Sequence, residues 1–147
     1  MNTQYSKPLR QSGFTLLEIM VVIFIIGLLV AIVAPNVIGN QDDAMRQKAR
    51  ADIATLEQAL DMYRLNNLRY PTSDQGLEAL IKRPAKPPQP ENYRQGGYVR
   101  RLPTDPWGNA YHYRQPGEHA DIDIYTLGAD ARPGGEGLDA DIGNWML

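Results

Sequence analysis

The feature that most constrains the fold is an apolar run near the start of the chain. No charged residue lies between Ile19 and Ala34, and extended back to Phe14 the run has 21 residues. At a rise of about 1.5 Å per residue, a helix of this length crosses the roughly 30 Å hydrocarbon core of a bilayer. We therefore predict a transmembrane helix over residues 14–35. Glu18 lies inside it, where an unpaired charge costs a few kcal/mol or more.

A cleaved secretory signal peptide is the rival interpretation of this run. Its apolar region would be shorter, about 7–15 residues, and the polar stretch that comes first here, MNTQYSKPLRQSG, is long. A retained helix is therefore favoured. Lys7 and Arg10 precede it and no further basic residue follows until Arg46, so the N-terminus is predicted to stay on the cytoplasmic side.

The stretch SGFTLLEIMVVIFIIGLLVAIVAPN resembles the start of type IV pilin-like proteins. In that family a basic leader ends in a glycine, here Gly13, and an aromatic residue follows, here Phe14. A glutamate stands four residues further on, here Glu18. The resemblance implies that residues 1–13 are a leader, that a membrane prepilin peptidase cuts between Gly13 and Phe14, and that the new amine of Phe14 is N-methylated.

The same resemblance suggests a purpose for the carboxylate in the apolar run. Cleavage would leave a cationic amine on Phe14, and Glu18 would neutralise the amine of a neighbouring subunit as a filament grows. A buried charge is tolerable when such a partner is present. The alternative is a glutamate that reaches up to the lipid headgroups, which its place one turn into the helix permits.

An apolar stripe continues the helical pattern beyond the membrane segment. Its members recur at spacings of three and four residues: Met45, Ala49, Ile53, Leu56, Leu60 and Tyr63. The stripe predicts that the helix extends to about Leu65 and that its second half packs on a folded domain.

Two residues are predicted to weaken the helix between its halves. Pro35 removes a hydrogen bond to Ala31, and Gly39 has a low helix propensity. A kink or a locally melted segment is therefore expected near residues 34–39. The alternative is that Pro35 only marks the end of a first helix.

Three strands are predicted towards the C-terminus. DPWGNAYHYRQPG opens with a turn at Asp105–Gly108 and continues as a strand, and DIDIYTL and DIGNW follow as the second and third. Thr72 and Gln75 fit a capping box before a short helix, and residues 82–97 form a proline-rich loop, predicted to be solvated. The predicted fold class is α+β, with the long helix packed on a small three-stranded antiparallel sheet.

Composition and motif spacing argue against several functions. A formal net charge of −2 gives no electrostatic case for nucleic acid, and the absence of cysteine excludes disulfides and thiolate metal sites. His112 and His119 lack zinc-ligand spacing. Asp121 and Asp123 are a conceivable carboxylate pair, but a solvated strand face is the interpretation favoured. We predict that the protein is not an enzyme.

The resemblance extends over most of the chain and narrows to the major pseudopilins of bacterial type II secretion. It is carried by ALDMYRLNNLRYPTSDQGLEAL, GGYVRRLPTDPWGNAYHY and YTLGADARPGGEGLDADIGNW. It implies a single-pass inner-membrane protein with a cytoplasmic N-terminus and a periplasmic domain over residues 36–147. Its copies would polymerise into a periplasmic filament that drives folded proteins through an outer-membrane secretin. Minor pseudopilins, the prepilin peptidase and the inner-membrane assembly platform are the implied partners.

Two other function classes stay open at this stage. A type IV pilin for adhesion, motility or DNA uptake would share the N-terminal segment, although many such pilins close a C-terminal loop with a disulfide that this chain cannot form. A membrane-anchored hydrolase would need a convergent polar pocket, for which the sequence offers no candidate.

The C-terminal segment is strongly acidic. Residues 121–147 contain six acidic residues and one basic residue, Arg132, and converging carboxylates repel one another. A hard cation such as Ca²⁺ would relieve the repulsion with oxygen ligands. The spacing is not that of an EF-hand, so an acidic solvated loop is the default interpretation.

The resemblance to major pseudopilins nevertheless implies one structural Ca²⁺ in this loop. Carried over to this chain, the side-chain ligands are Asp130 and Asp141, and the carbonyl ligands are those of Leu127 and Arg132. Asp139 is a further candidate, although the adjacent acidic pair usual in the family is split here by Ala140.

Overall fold

The computed structural model describes residues 13–147, except for the side chains of residues 33–40. The chain divides into two compact units, Met1–Asn40 and Gln41–Leu147. One helix, α1 (Leu16–Asn67), begins in the first unit and ends in the second. The predicted leader, residues 1–13, lies outside the described residues apart from Gly13.

The first unit exposes the apolar run. Every residue from Gly13 to Ile32 is exposed, including Phe14 at 79% and Phe24 at 73%. Within the described part of the chain, no helix is both long enough and apolar enough to cross a membrane. The helix break predicted at Pro35 and Gly39 falls within residues 33–40, whose side chains are not described, and it stays a prediction.

The second half of α1 forms one side of the hydrophobic core, as the stripe predicts. Ala49, Ile53 and Leu60 have no exposed surface, and Leu56 and Tyr63 are each 1% exposed. Ala59 of α1 also belongs to the core, and the remaining core residues come from the segments that fold over this face: Leu77, Ala79, Leu80, Tyr111, Ile122, Ile124 and Ile142. The core therefore lies between α1 and the rest of the domain.

Three short antiparallel strands make the sheet, in the order β1 (His112–Arg114), β2 (Asp123–Thr126) and β3 (Ile142–Gly143). Tyr125 pairs with His112 on one side and with Gly143 on the other. The predicted helix and three-stranded antiparallel sheet are confirmed. Before β1, the turn at Asp105–Gly108 is closed by the Gly108 amide, which donates to the Asp105 carbonyl at 3.0 Å.

The capping box forms, but it does not start an α-helix. The Gln75 amide donates to the Thr72 hydroxyl at 3.3 Å, and the Thr72 amide donates to the Gln75 side chain at 3.1 Å. The box closes a turn, and a 3-10 helix of one turn follows at Leu77–Leu80. Gly76 lies between the box and this helix, and its φ of 64° is outside the α-helical region. The box and the short helix are therefore separate and do not form the one short helix that the sequence predicted.

Hydrogen bonds and an aromatic contact attach the proline-rich loop to the core, although the sequence predicts a solvated loop. Gln75 donates from Nε2 to the carbonyls of Lys86 and Pro88 at 2.8 and 3.0 Å. Tyr93 packs edge-on against Tyr63 of α1, with ring centroids 6.2 Å apart. Most side chains in the loop are exposed, as predicted, but its backbone is fixed to the core.

Asp123 contradicts the prediction of a solvated strand face. It is 2% exposed, and its carboxylate accepts hydrogen bonds from the backbone amides of Glu118, His119 and Ala120 and contacts the His119 ring. Asp121, two residues earlier, is exposed. Burial alone would raise the pKa of Asp123, but these hydrogen bonds outweigh burial and lower its pKa.

We predict that Asp123→Asn lowers the free energy of unfolding by about 1–3 kcal/mol at neutral pH, because three backbone amide donors lose a charged, buried acceptor. The folded pKa of Asp123 is the lower one, so its contribution is complete above the unfolded pKa and is lost as pH falls through the folded pKa. Denaturant unfolding between about pH 5 and pH 3 should therefore show a shallower loss of stability in the variant than in the wild type.

The exposed neighbour provides the matched control for this measurement. Asp121→Asn should keep the wild-type stability and pH dependence, since its ion pair with Arg64 is surface-exposed. Equal stability of Asp123→Asn and the wild type at neutral pH would contradict the role assigned to the buried carboxylate.

Candidate functional site

Thr15 caps the start of α1 beside the predicted cleavage point. Its hydroxyl accepts a hydrogen bond from the Glu18 amide at 3.2 Å, and its carbonyl accepts one from the Ile19 amide at 3.2 Å. A threonine three residues before a glutamate is the sequence signature of a capping box, so this cap was visible in T-L-L-E and the sequence reasoning missed it. The helix therefore begins two residues after Phe14.

Glu18 lies exposed in the first turn of α1. A carboxylate at this place is favoured by the helix dipole, which puts partial positive charge at the N-terminus. Among the described residues, no cationic side chain forms an ion pair with it. Phe14, whose amine would become the N-terminus, and Gly13 are exposed as well. The arrangement leaves both predicted assembly groups accessible to another molecule.

The second candidate site is the C-terminal loop between β2 and β3, and its near end is anchored by a buried carboxylate. Thr126, the last residue of β2, donates its hydroxyl to Asp105 Oδ2. The other oxygen of Asp105 accepts from the backbone amides of Trp107 and Asn109 at 3.1 and 2.7 Å. Because Asp105 is satisfied on both oxygens, it fixes the strand end at which Leu127 begins the loop.

The loop folds back on itself through close backbone contacts. The Ala129 amide donates to the Leu138 carbonyl at 3.0 Å. Gly128 and Gly135 both have positive φ and lie against residue 139, where a Cβ on either would come within about 2.7 Å of the Asp139 backbone. Only glycine combines this conformation with this approach. These two glycines therefore allow the loop to pack closely on itself, and a 3-10 turn follows at Gly137–Asp139.

The predicted metal ligands take different positions in this loop. Asp130 is exposed and its Oδ1 accepts from the Arg132 amide at 3.0 Å. Asp141 Oδ2 accepts from the Gly134 amide at 2.9 Å, and Asp139 is exposed. Within residues 13–32 and 41–147, no three acidic or histidine side chains are close enough to hold a metal ion. The predicted set itself requires only two carboxylates, together with the Leu127 and Arg132 carbonyls.

One oxygen in the loop is buried without a partner. Asp141 Oδ1 has almost no solvent-accessible surface and accepts no hydrogen bond. A buried carboxylate oxygen in this state costs free energy unless a donor or a cation satisfies it. An oxygen-seeking cation fits this atom, and Ca²⁺ binds carboxylates and backbone carbonyls together.

The far end of the loop is held by Asn144, which the sequence reasoning also missed. Its Oδ1 accepts from the Ile124 amide at 3.0 Å, and its Nδ2 donates to Glu57 on α1 and to the Ile122 carbonyl at 3.0 and 3.1 Å. One side chain thus joins the two strands that bracket the loop to the helix. Only its place within the predicted strand DIGNW could have suggested this role.

Trp145 covers the end of β3. Its ring lies against Gly143, where a Cβ would collide with it, and His119 stacks on it at 3.9 Å with an interplanar angle of 9°. The other histidine, His112, stacks on Tyr125 at 5.0 Å. His112 thus stacks on a ring of β2, and His119 stacks on a ring in the 3-10 turn that follows β3.

Family models match both parts of the chain. The model described as Type II secretion system (T2SS), protein G matches residues 36–145. The model described as Prokaryotic N-terminal methylation motif matches residues 8–34, which include the predicted cleavage point and Glu18.

Curated proteins and a solved structure agree with these matches. The chain is 59% identical over 141 residues to the type II secretion system core protein G of Vibrio cholerae, covering 96% of each chain. It is 54% identical over 138 residues to the protein of the same name in Escherichia coli K12, covering 94% of this chain and 93% of the relative. The crystal structure of the major pseudopilin from the type 2 secretion system of enterohaemorrhagic Escherichia coli superposes with a TM-score of 0.68 at 55% identity. That match covers 77% of this chain and 96% of that one.

Proposed function

The chain belongs to the type II secretion system protein G family, whose members are structural subunits of the pseudopilus, and from this premise we propose that it polymerises from the inner membrane into a periplasmic filament. The filament would drive export of folded periplasmic proteins through the outer-membrane secretin. The observation that carries the proposal is the family match over residues 36–145, reinforced by identities of 54–59% to relatives that share one name. These relatives do not favour a type IV pilin, and a structural subunit family points away from an enzyme.

The N-terminal motif supports a membrane-anchored precursor. The match over residues 8–34 favours removal of residues 1–13 by a prepilin peptidase and N-methylation of Phe14. Residues 14–35 would then hold the subunit in the inner membrane, with residues 36–147 in the periplasm. The basic residues before the run support this orientation, and the exposed apolar surface up to Ile32 supports insertion into the membrane.

Glu18 would act when one subunit joins another. Its carboxylate is accessible and lacks a cationic partner among the described residues, and the cleaved Phe14 amine of a neighbouring subunit would supply one. Such a pair fixes register, because a buried carboxylate without its cation is strongly disfavoured. Minor pseudopilins, which would share this segment, and the inner-membrane assembly platform are the other proposed partners.

A structural Ca²⁺ is proposed in the C-terminal loop. Asp130 and Asp141 would hold it with their side chains, and Leu127 and Arg132 with their carbonyls, with Asp139 as a further candidate. The unsatisfied Asp141 Oδ1 supports this assignment. When bound, the ion supplies charge neutralisation for the acidic loop, and the protein supplies a backbone already held at both ends by Asp105 and Asn144.

Replacing Glu18 tests the assembly role. We expect Glu18→Leu to be cleaved and inserted normally, since it removes a desolvation cost, and to yield at least about tenfold fewer filaments because a subunit pairing is lost. The measurement is electron microscopy of filaments from an overproduced secretion system, with a secretion assay in the same cells.

A second variant separates assembly from processing. Gly13→Glu should block leader removal and give a full-length band on a gel, whereas Glu18→Leu should give the processed band. Normal filaments and normal secretion from Glu18→Leu would refute the pairing.

Removing calcium tests the proposed metal site. Because the ion would bind the folded state only, the melting temperature of the domain from Gln41 onward should rise with calcium above its dissociation constant and fall on addition of EDTA. Asp130→Ala should melt at the EDTA value with or without calcium. The comparison is made by calorimetry at fixed ionic strength.

Magnesium at the same concentration serves as the control, since it prefers a smaller octahedral site. A melting temperature unchanged by EDTA, together with wild-type secretion by Asp130→Ala, would exclude a structural calcium ion.

A further inference from the structure

The far end of α1 carries an apolar surface that none of the described residues covers. Three large apolar side chains follow one another there at spacings of three residues, and we call them the apolar ridge: Met62, Leu65 and Leu68, which are 46%, 72% and 90% exposed. Outside the N-terminal segment and this ridge, the exposed large hydrophobic residues of the described chain are Ile81, Met146 and Leu147. The ridge is therefore the main apolar surface that the domain itself presents.

Leu68 combines this exposure with an unfavourable backbone. Its φ is 62°, in the left-handed region, and its amide closes the helix by donating to the Arg64 carbonyl at 2.7 Å. Glycine or asparagine is the usual residue at this position, because a larger side chain costs free energy there. Since Leu68 is 90% exposed, its side chain packs little on the described part of the chain, and nothing there offsets the cost of this backbone conformation.

The charged residues beside the ridge are already paired. Asp61 accepts a hydrogen bond from the Tyr70 hydroxyl at 2.7 Å, and Arg64 reaches Tyr70 and Asp121 at 3.2 and 3.4 Å. They border a shallow depression lined also by Leu65 and Leu68. A partner at this surface would consequently meet apolar side chains and not free charges.

We infer that the apolar ridge is a subunit contact that receives the apolar helical segment of a second copy, within residues 14–32. This inference rests on the proposed function, since assembly takes that segment out of lipid and leaves its side chains in need of apolar partners. Every residue of the segment is exposed in the single subunit. The ridge and the segment are both apolar and both exposed in one copy, so each can cover the other when two copies associate.

Cysteine crosslinking in the full-length chain tests the contact directly, because the protein has no native cysteine. Leu65→Cys is combined in turn with a single cysteine at each position from Val21 to Ile32, for example Phe24→Cys, and filaments are oxidised after assembly. We expect disulfide-linked dimers at positions recurring every three or four residues. Leu147→Cys replaces Leu65→Cys in the matched control and should give no such pattern.

The outcomes separate this inference from the proposed function. Normal filaments without any crosslink to Leu65→Cys, or with the pattern only from Leu147→Cys, overturn the ridge contact and leave the proposed function standing. Failure of the wild-type chain to form filaments with its secretion system overturns the proposed function, and the ridge contact with it.

A substitution at Leu68 distinguishes a contact between copies from a role inside one copy. Leu68→Asn suits the left-handed backbone, so the full-length chain in detergent should melt at the same temperature or a few degrees higher. Filament yield should fall about tenfold, the change that burial of one leucine supports, whereas Leu147→Asn should leave it unchanged. An unchanged yield from Leu68→Asn, or a clear fall in its melting temperature, would overturn the inference.

Discussion

Packing of the apolar stripe of α1 against the rest of the chain is the interaction on which the whole domain depends. The three strands contain three, four and two residues, too few to form an independent sheet. Nearly half of the core residues lie on α1, from Ala49 to Tyr63. The helix that carries the proposed assembly residue Glu18 is thus also the central element of the folded domain.

The helix that carries Glu18 also supports the C-terminal loop. The C-terminal loop begins where Thr126 bonds to Asp105 and ends where Asn144 bonds to Glu57 of α1. A cation bound in that loop would therefore stabilise strands that pack on the helix. Under the proposed function, filament assembly and loop order share the same structural support, although they involve different residues.

The sequence was sufficient for the elements with strong periodicity and for the N-terminal motif. The stripe from Ala49 to Tyr63 predicted the buried face because spacing alone determines which residues share a helix face. Burial of Asp123 could not be read from its alternation with isoleucines, because alternation gives the face of a side chain and not whether the preceding turn folds its amides onto it. Asn144 was missed for a different reason, since it joins residues that are distant in sequence. Thr15, by contrast, had a local signal that went unused.

Native-state hydrogen exchange of the full-length chain in detergent most directly tests whether α1 and the sheet form one cooperative core. The account predicts that the amides of Ile53, Leu56 and Leu60 exchange with the same opening free energy as the amide of Ile124, because neither side of the core is stable without the other. Helix amides that exchange by a separate opening of clearly lower free energy, while Ile124 stays protected, would contradict it.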